Sequence, residues 1–221
     1  MIKGAIFDMD GTLLDSMPVW MNASARYLAT LGICAEPNLS EILFSMSMQE
    51  GAEYVQKKYN VPRSIDEIVA GVNAIVYESY EKFVQPKAGV RGFLEGLKRA
   101  GIPMVVATSS DCSMAEVALA RTGLLPYFRE IFTCSEVGAG KSKPDIYYAA
   151  AKSLGTKPEE TWTFEDALYA TKTAKAAGFC TVGLYDEASA KEQEDLQKIA
   201  DIYVDGLTDF KGIFEKMTQM P

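Results

Sequence analysis

The stretch Ile6-Phe7-Asp8-Met9-Asp10-Gly11-Thr12-Leu13-Leu14-Asp15-Ser16 decides how the rest of the chain is read. A short apolar run, from Ala5 to Phe7, ends on two acidic residues separated by one, and Gly-Thr follows at once. An apolar run of this length bounded by a glycine turn reads as a buried strand. The acidic pair is then either a solvated turn or a functional site at the strand's carboxyl end.

Working outward, five further apolar runs resemble strands: Pro103–Ala107, Ile131–Cys134, Thr161–Phe164, Thr181–Leu184 and Ile202–Val204. Helix-period segments separate them. Val90, Leu94 and Leu97 recur at i, i+4 and i+7 before Gly101. Ser113 and Glu116 have capping-box spacing, and the segment they open stops at Gly123. Pro144 stands where a first helical turn begins, ahead of a buried face of Ile146, Ala149, Ala150 and Leu154. The Ala-rich segment Leu168–Ala177 ends at Gly178. Strands alternating with helices predict right-handed crossovers and an α/β fold with a doubly wound, parallel, Rossmann-like sheet.

Residues 16–85 break this rhythm, with helical patterns and almost no strand signal. Trp20, Ala23, Tyr27 and Leu31 form one stripe after Pro18, and Glu50–Tyr59 and Ser64–Phe83 form two more helical segments. The predicted organisation is therefore a core of residues 1–15 and 86–221 with an inserted helical cap domain of residues 16–85. The hinges would lie near Asp15 and Pro86. Asp15 either caps the helix that starts near Pro18 or reaches substrate.

Composition narrows the chemistry. The chain has 221 residues, 48% of them hydrophobic, enough for such a core and its insert. It contains no histidine, which removes Ser-His-Asp and Cys-His catalysis and any histidine-ligated metal. The net charge of −8 offers no basic stripe, so neither nucleic acid nor an anionic membrane is an expected partner. Cys34, Cys112, Cys134 and Cys180 lie far apart, without a C-x-x-C pair, and are expected reduced and partly buried. With no signal peptide or membrane span at Met1–Asp10, the expected location is cytoplasmic, and the default state is a monomer.

In an open parallel sheet, ligands bind beyond the carboxyl ends of the strands. The polar residues at those ends are Asp8 and Asp10, then Thr108 with Ser109 and Ser110, then Glu165 and Asp166; Lys141 follows Gly140 ahead of a helix. Carboxylate clusters suit Mg²⁺, a hard cation that takes oxygen ligands and substrate phosphate. A hydroxyl from Thr108 and the Lys141 ammonium can hold phosphoryl oxygens, with backbone N–H groups of the turn after Asp10 as further donors. Without histidine, a carboxylate must be the nucleophile, and it can form an acyl phosphate. Asp8 would attack and Asp10 would serve as acid and base.

These motifs resemble those of the haloacid dehalogenase superfamily, in the branch with a helical cap after the first motif. Asp8–Thr12 match the first motif, Thr108 the second, Lys141 the third, and Glu165-Asp166 the fourth. The resemblance implies a catalytic set of Asp8, Asp10, Thr108 and Lys141, phosphate binding by Thr108, Ser109 and Lys141, and a Mg²⁺ site made by Asp8, the Asp10 backbone carbonyl and Asp166 with Glu165 close by. Ser142 and Lys143 depart from the usual third motif and Ala167 from the fourth, but neither change removes a catalytic group.

Asp10 favours a phosphatase over a dehalogenase, which expels halide and needs no second acid. The expected function is Mg²⁺-dependent hydrolysis of a small phosphorylated metabolite, such as a sugar phosphate, through an aspartyl phosphate. The same branch holds β-phosphoglucomutase, the alternative within enzymes. There a histidine usually stands where this chain has Trp20, and a cap arginine where it reads Ser45–Glu50, SMSMQE. A non-catalytic phosphate-binding protein is the alternative outside enzymes.

Overall fold

The computed structural model describes residues 2–43 and 46–220. The chain divides into two compact units, Met1–Asp15 with Gln85–Pro221, and Ser16–Val84. The division falls one residue before the expected position because Gln85 belongs with the first unit, where its carbonyl accepts the Asp15 N–H at 2.9 Å.

The first unit is α/β. Its strands are β1 (Gly4–Phe7), β2 (Met104–Thr108), β3 (Ile131–Thr133), β4 (Thr161–Glu165), β5 (Cys180–Leu184) and β6 (Ile202–Val204). They form one parallel sheet in the order β3-β2-β1-β4-β5-β6. The order reverses between β1 and β4, so the crevice at their carboxyl ends is the topological switch point. Phe7 pairs with Val106 on one side and Phe164 on the other, and the Asp8 N–H donates to the Phe164 carbonyl at 3.0 Å. That bond carries the ladder one residue past the strand and fixes where the first carboxylate begins.

Both faces of the sheet are buried, as an all-parallel sheet requires. On one face Phe7 stacks on Phe164 at 4.2 Å between centroids, with Phe93 and Phe128 edge-on. On the other, Ile6, Val105 and Ala107 pack with Ile146, Tyr147, Ala150 and Leu154 of the helix Asp145–Leu154. The predicted stripe is therefore present, although Ala149 is only half-buried and Tyr147 joins the stripe instead.

The predicted capping box at Ser113 does not form. The helix starts at Cys112 with Asp111 at its N-cap in extended backbone, which places Ser113 inside the first turn. Spacing of Ser and Glu cannot fix a cap by itself, because the chain leaves β2 by a sharp turn at Ser109–Ser110 and enters the helix early. Cys112, Cys134 and Cys180 are half-buried free thiols; Cys34 is exposed, contrary to expectation.

The second unit is helical: Met17–Thr30, Leu39–Leu43, Met48–Tyr59 and Ile65–Lys82 among the described residues. Two capping boxes, Ser47 with Glu50 and Ser64 with Glu67, set the starts of the last two. Ser16 occupies the N-cap of the first, so Asp15 does not cap it. Of the segment Ser45–Glu50, Ser45 lies outside the described residues. No helix among the described residues is long and apolar enough to cross a membrane.

Gly89 initiates the helix Val90–Arg99 at φ 83°, and a Cβ there would lie 2.5 Å from the backbone of Leu207 and Thr208. Gly89→Ala should therefore cost more than the roughly 1–3 kcal/mol of ordinary left-handed strain, because backbone atoms cannot swing aside as a side chain does. Gly92 sits in the same helix with open space around it, and Gly92→Ala should instead stabilise by about 0.5–1 kcal/mol. Denaturant midpoints of the two variants check the contrast.

Candidate active site

At the switch point, Asp8, Glu165 and Asp166 are buried, and each offers an oxygen within 4.8 Å of the others. Asp8 follows β1, and Glu165 and Asp166 close β4, so adjacent strands deliver all three. Lys141, itself only 3% exposed, enters from the loop after the short helix Cys134–Val137. Its ammonium donates to Asp8 and to both oxygens of Glu165, at 2.9 and 3.1 Å. Glu165 also accepts the Tyr147 hydroxyl at 2.8 Å.

The electrostatics follow from burying three carboxylates beside one ammonium. Burial raises the pKa of Asp8 well above the usual carboxylate range; Lys141 opposes this, while Glu165, Asp166 and Asp10 add to it. Burial likewise raises Glu165 against the pull of Lys141 and the Tyr147 hydroxyl. Asp166 is pushed up to about 7 by burial, then by the charges of Glu165 and Asp186. For Lys141, burial disfavours the ammonium, but Asp8 and Glu165 more than offset it and its pKa rises. With all three acids ionised the group is two positive charges short of neutrality, and its acidic donors are all oxygen. That is the donor set a hard divalent cation takes, so the residues fit Mg²⁺.

The remaining expected residues are arranged around this cluster. Asp10 is half-buried, and its Oδ2 accepts the Ser110 hydroxyl at 2.7 Å. Asp10 is outside the group of clustered carboxylates. Thr108 is fully buried at the end of β2, and its Oγ1 accepts the Ser110 N–H at 3.0 Å. Ser109 is exposed, with its hydroxyl 3.5 Å from the Cys134 sulfur. Lys143 and Ser142 are exposed.

The turn after Asp10 is closed by its own backbone. The Gly11 N–H donates to Leu14 O, and those of Leu13 and Leu14 to Met9 O, so three of its N–H groups are used inside the turn. Gly11 has φ 81°, and a Cβ there would stand 2.4 Å from Asp166 Oδ2. Only glycine lets the first acidic loop lie against the fourth-strand carboxylate.

Tyr147 escaped the sequence reading, which named Ser110 and Thr12 but not their contacts. Tyr147 orients Glu165, Ser110 holds Asp10, and the Thr12 hydroxyl lies 3.5 Å from Asp166 Oδ1. Tyr147 was within reach, since it stands seven residues before buried Leu154 on the same helix. The other two are contacts across 100 and 154 residues of sequence, which no local pattern encodes.

Within the helical unit lies a cavity of about 220 Å³, whose lining includes Met17, Trp20, Leu43, Met46, Met48 and Val72. No charged side chain lines it among the described residues. Trp20 puts its ring there while its indole N–H donates to the Tyr80 hydroxyl at 2.9 Å.

The family model for haloacid dehalogenase-like hydrolases matches residues 5–184. The chain belongs to that family. It is 30% identical over 183 residues to the fructose-1-phosphate phosphatase of Escherichia coli, covering 81% of this chain and 94% of that one. It is 28% identical over 177 residues to a phosphorylated carbohydrates phosphatase of Thermotoga maritima, covering 80% and 82%. Among solved structures, a β-phosphoglucomutase from Clostridium difficile shares its fold with a TM-score of 0.77 at 20% identity, over 99% of this chain and 98% of that one.

The raised Asp166 gives this hydrolase a pH signature. A carboxylate whose pKa climbs from about 3.9 unfolded to about 7 folded stabilises the native state at low pH. That contribution is lost as pH rises across this window, because the unfolded chain releases the proton first. Without divalent cation, the melting temperature should therefore fall more steeply from about pH 5 to about pH 8 in the wild type than in Asp166→Asn. Parallel curves would contradict the assignment.

Proposed function

We propose that the chain hydrolyses small phosphomonoesters, sugar monophosphates foremost, through a phosphoryl group carried on Asp8 and with Mg²⁺ as cofactor. It is an enzyme of the phosphoric monoester hydrolase type. The observation that carries the reading is the packing of Asp8, Glu165 and Asp166 around one buried lysine, where the excess negative charge calls for a cation, which in turn can take a phosphoryl oxygen as a further ligand.

Asp8 and Asp166 would hold Mg²⁺, with the Asp10 backbone carbonyl. Glu165, whose oxygens are taken by Lys141 and Tyr147, would act as the group that aims Lys141. Mg²⁺ when bound supplies charge neutralisation that lets an anionic carboxylate approach an anionic phosphoryl group. Asp8 attacks phosphorus, and Asp10 protonates the departing alkoxide oxygen. Asp10, then a carboxylate, takes a proton from water as the water attacks the acyl phosphate, releasing inorganic phosphate and restoring Asp8. Lys141 donates to the phosphoryl oxygens. Thr108 joins it, since its oxygen already accepts the Ser110 N–H and its own proton remains to be donated. Ser109 would add a hydroxyl at the rim.

The helical unit supports a monophosphate substrate. Its five cationic residues are engaged within it: Lys57 with Glu53, Lys58 with Glu36, Arg63 with Glu67, Lys82 with Glu78, and Arg26 with the Ser79 hydroxyl. A mutase must grip two phosphates in turn, and a second phosphate needs a cation to hold it. The names of the two phosphatase relatives point the same way.

Phosphate release from a panel of sugar phosphates, with and without Mg²⁺, tests the reading. Turnover should require Mg²⁺, disappear in Asp8→Asn, and fall roughly 10²–10⁴-fold in kcat in Asp10→Asn. Turnover that survives in Asp8→Asn would overturn it, and isomerisation of a sugar phosphate primed by a bisphosphate would favour the mutase.

A further inference from the structure

Lys87 follows Pro86 in the link into the helix Val90–Arg99 and carries no motif. Its ammonium nevertheless has a full set of acceptors: Gly11 O at 2.7 Å, Tyr185 O at 2.8 Å and Asp186 Oδ2 at 2.8 Å. Three N–H groups meet three oxygens, two of them carbonyls and one a buried carboxylate. Its backbone N–H adds a fourth tie, to Leu13 O at 3.0 Å. Main chain and side chain of one residue thus grip the Gly11–Leu13 turn at both ends.

The other end of the grip reaches Asp166. Asp186 caps its own turn through the Ala188 N–H at 2.9 Å. The Ser189 hydroxyl lies 3.3 Å from Asp166 O and 3.2 Å from Asp186 O, and Gln193 Nε2 donates to that hydroxyl at 2.6 Å. Tyr203 in turn holds Gln193 Oε1 at 2.9 Å. Gly11 presses on the Asp166 carboxylate so closely that a methyl group would not fit between them. The first acidic loop and the fourth-strand loop are therefore both fastened to the segment Tyr185–Gln193, one by Lys87 and the other by Ser189.

We propose that Lys87 is a positioning residue for the cation site, setting the separation between the Asp10–Thr12 backbone and the Asp166 carboxylate by tying the first loop to Asp186. It touches neither substrate nor cation. Its ammonium ties a turn already closed by its own backbone bonds to Asp186, and so fixes where that turn stands in the wall of the site. This inference rests on the Mg²⁺ reading given under Proposed function.

Lys175 provides the control, because it makes the same kind of brace elsewhere: its ammonium joins Ile199 O at 2.7 Å and Asp201 at 2.8 Å. Titration calorimetry of MgCl₂ into the substrate-free protein, with melting temperatures recorded alongside, separates positioning from general support. Lys87→Met should raise the Kd for Mg²⁺ roughly 10–100-fold, the range found when groups behind a metal's ligands are removed. Lys175→Met should lower the melting temperature and leave that Kd unchanged. If Lys87→Met does not fold, Lys87→Gln, which keeps two donors, should raise the Kd to a smaller extent. A wild-type Kd in the folded Lys87 variant, or an equal rise in Lys175→Met, overturns the inference and leaves the Mg²⁺ reading standing. A wild type that binds no Mg²⁺ overturns both.

Discussion

Three carboxylates buried at the ends of two adjacent strands repel one another, and a single ammonium is too little to balance them. Lys141 is the ammonium that meets Asp8 and Glu165 here, and burial raises the pKa of every one of the three acids. A folded protein tolerates such a cluster only if the rest of the structure forces it. Here the force comes from the sheet: β1 and β4 are hydrogen-bonded neighbours, the stacked rings of Phe7 and Phe164 lock their register, and the next residue of each strand is an acid. The stability of an aromatic core is thereby used to hold charges that would otherwise separate.

The loops beyond the strands answer the same constraint. Glycine is the one residue type at position 11 that lets the first loop lie against Asp166, Tyr147 occupies an oxygen of Glu165 from the helix behind it, and the Lys87 ammonium ties that loop to Asp186. Each of these contacts restricts where a carboxylate can go. A cation site needs that restriction, because an octahedral ion of Mg²⁺ size admits little variation in where its ligands stand.

The strands were legible because each is a short apolar run between polar turns, and all six of the expected runs are strands, shifted by a residue or so at their ends. The acids at the ends of β1 and β4 were legible for the same reason, since a parallel sheet places strand ends together. Lys141 could be picked out only by its place between Gly140 and Pro144. What could not be read were contacts that depend on how distant loops meet: Lys87 to Gly11 across 76 residues, Ser110 to Asp10 across 100, Ser189 to Asp166 across 23. The cap at Asp111 in place of Ser113 escaped because Ser-x-x-Glu spacing recurs by chance, and the turn geometry that excludes it lies outside the helix. The helix Leu39–Leu43 is too short to show a period.

The central claim is that Asp8 becomes covalently phosphorylated. A single-turnover reaction with a sugar monophosphate, quenched in acid within its burst and mapped by peptide mass spectrometry, tests it directly. The account predicts one phosphoryl group on the peptide that contains Asp8, gone when the quench is delayed past turnover. Phosphate release with no acyl phosphate on that peptide at any time, or a phosphoryl group carried by another residue, would contradict it.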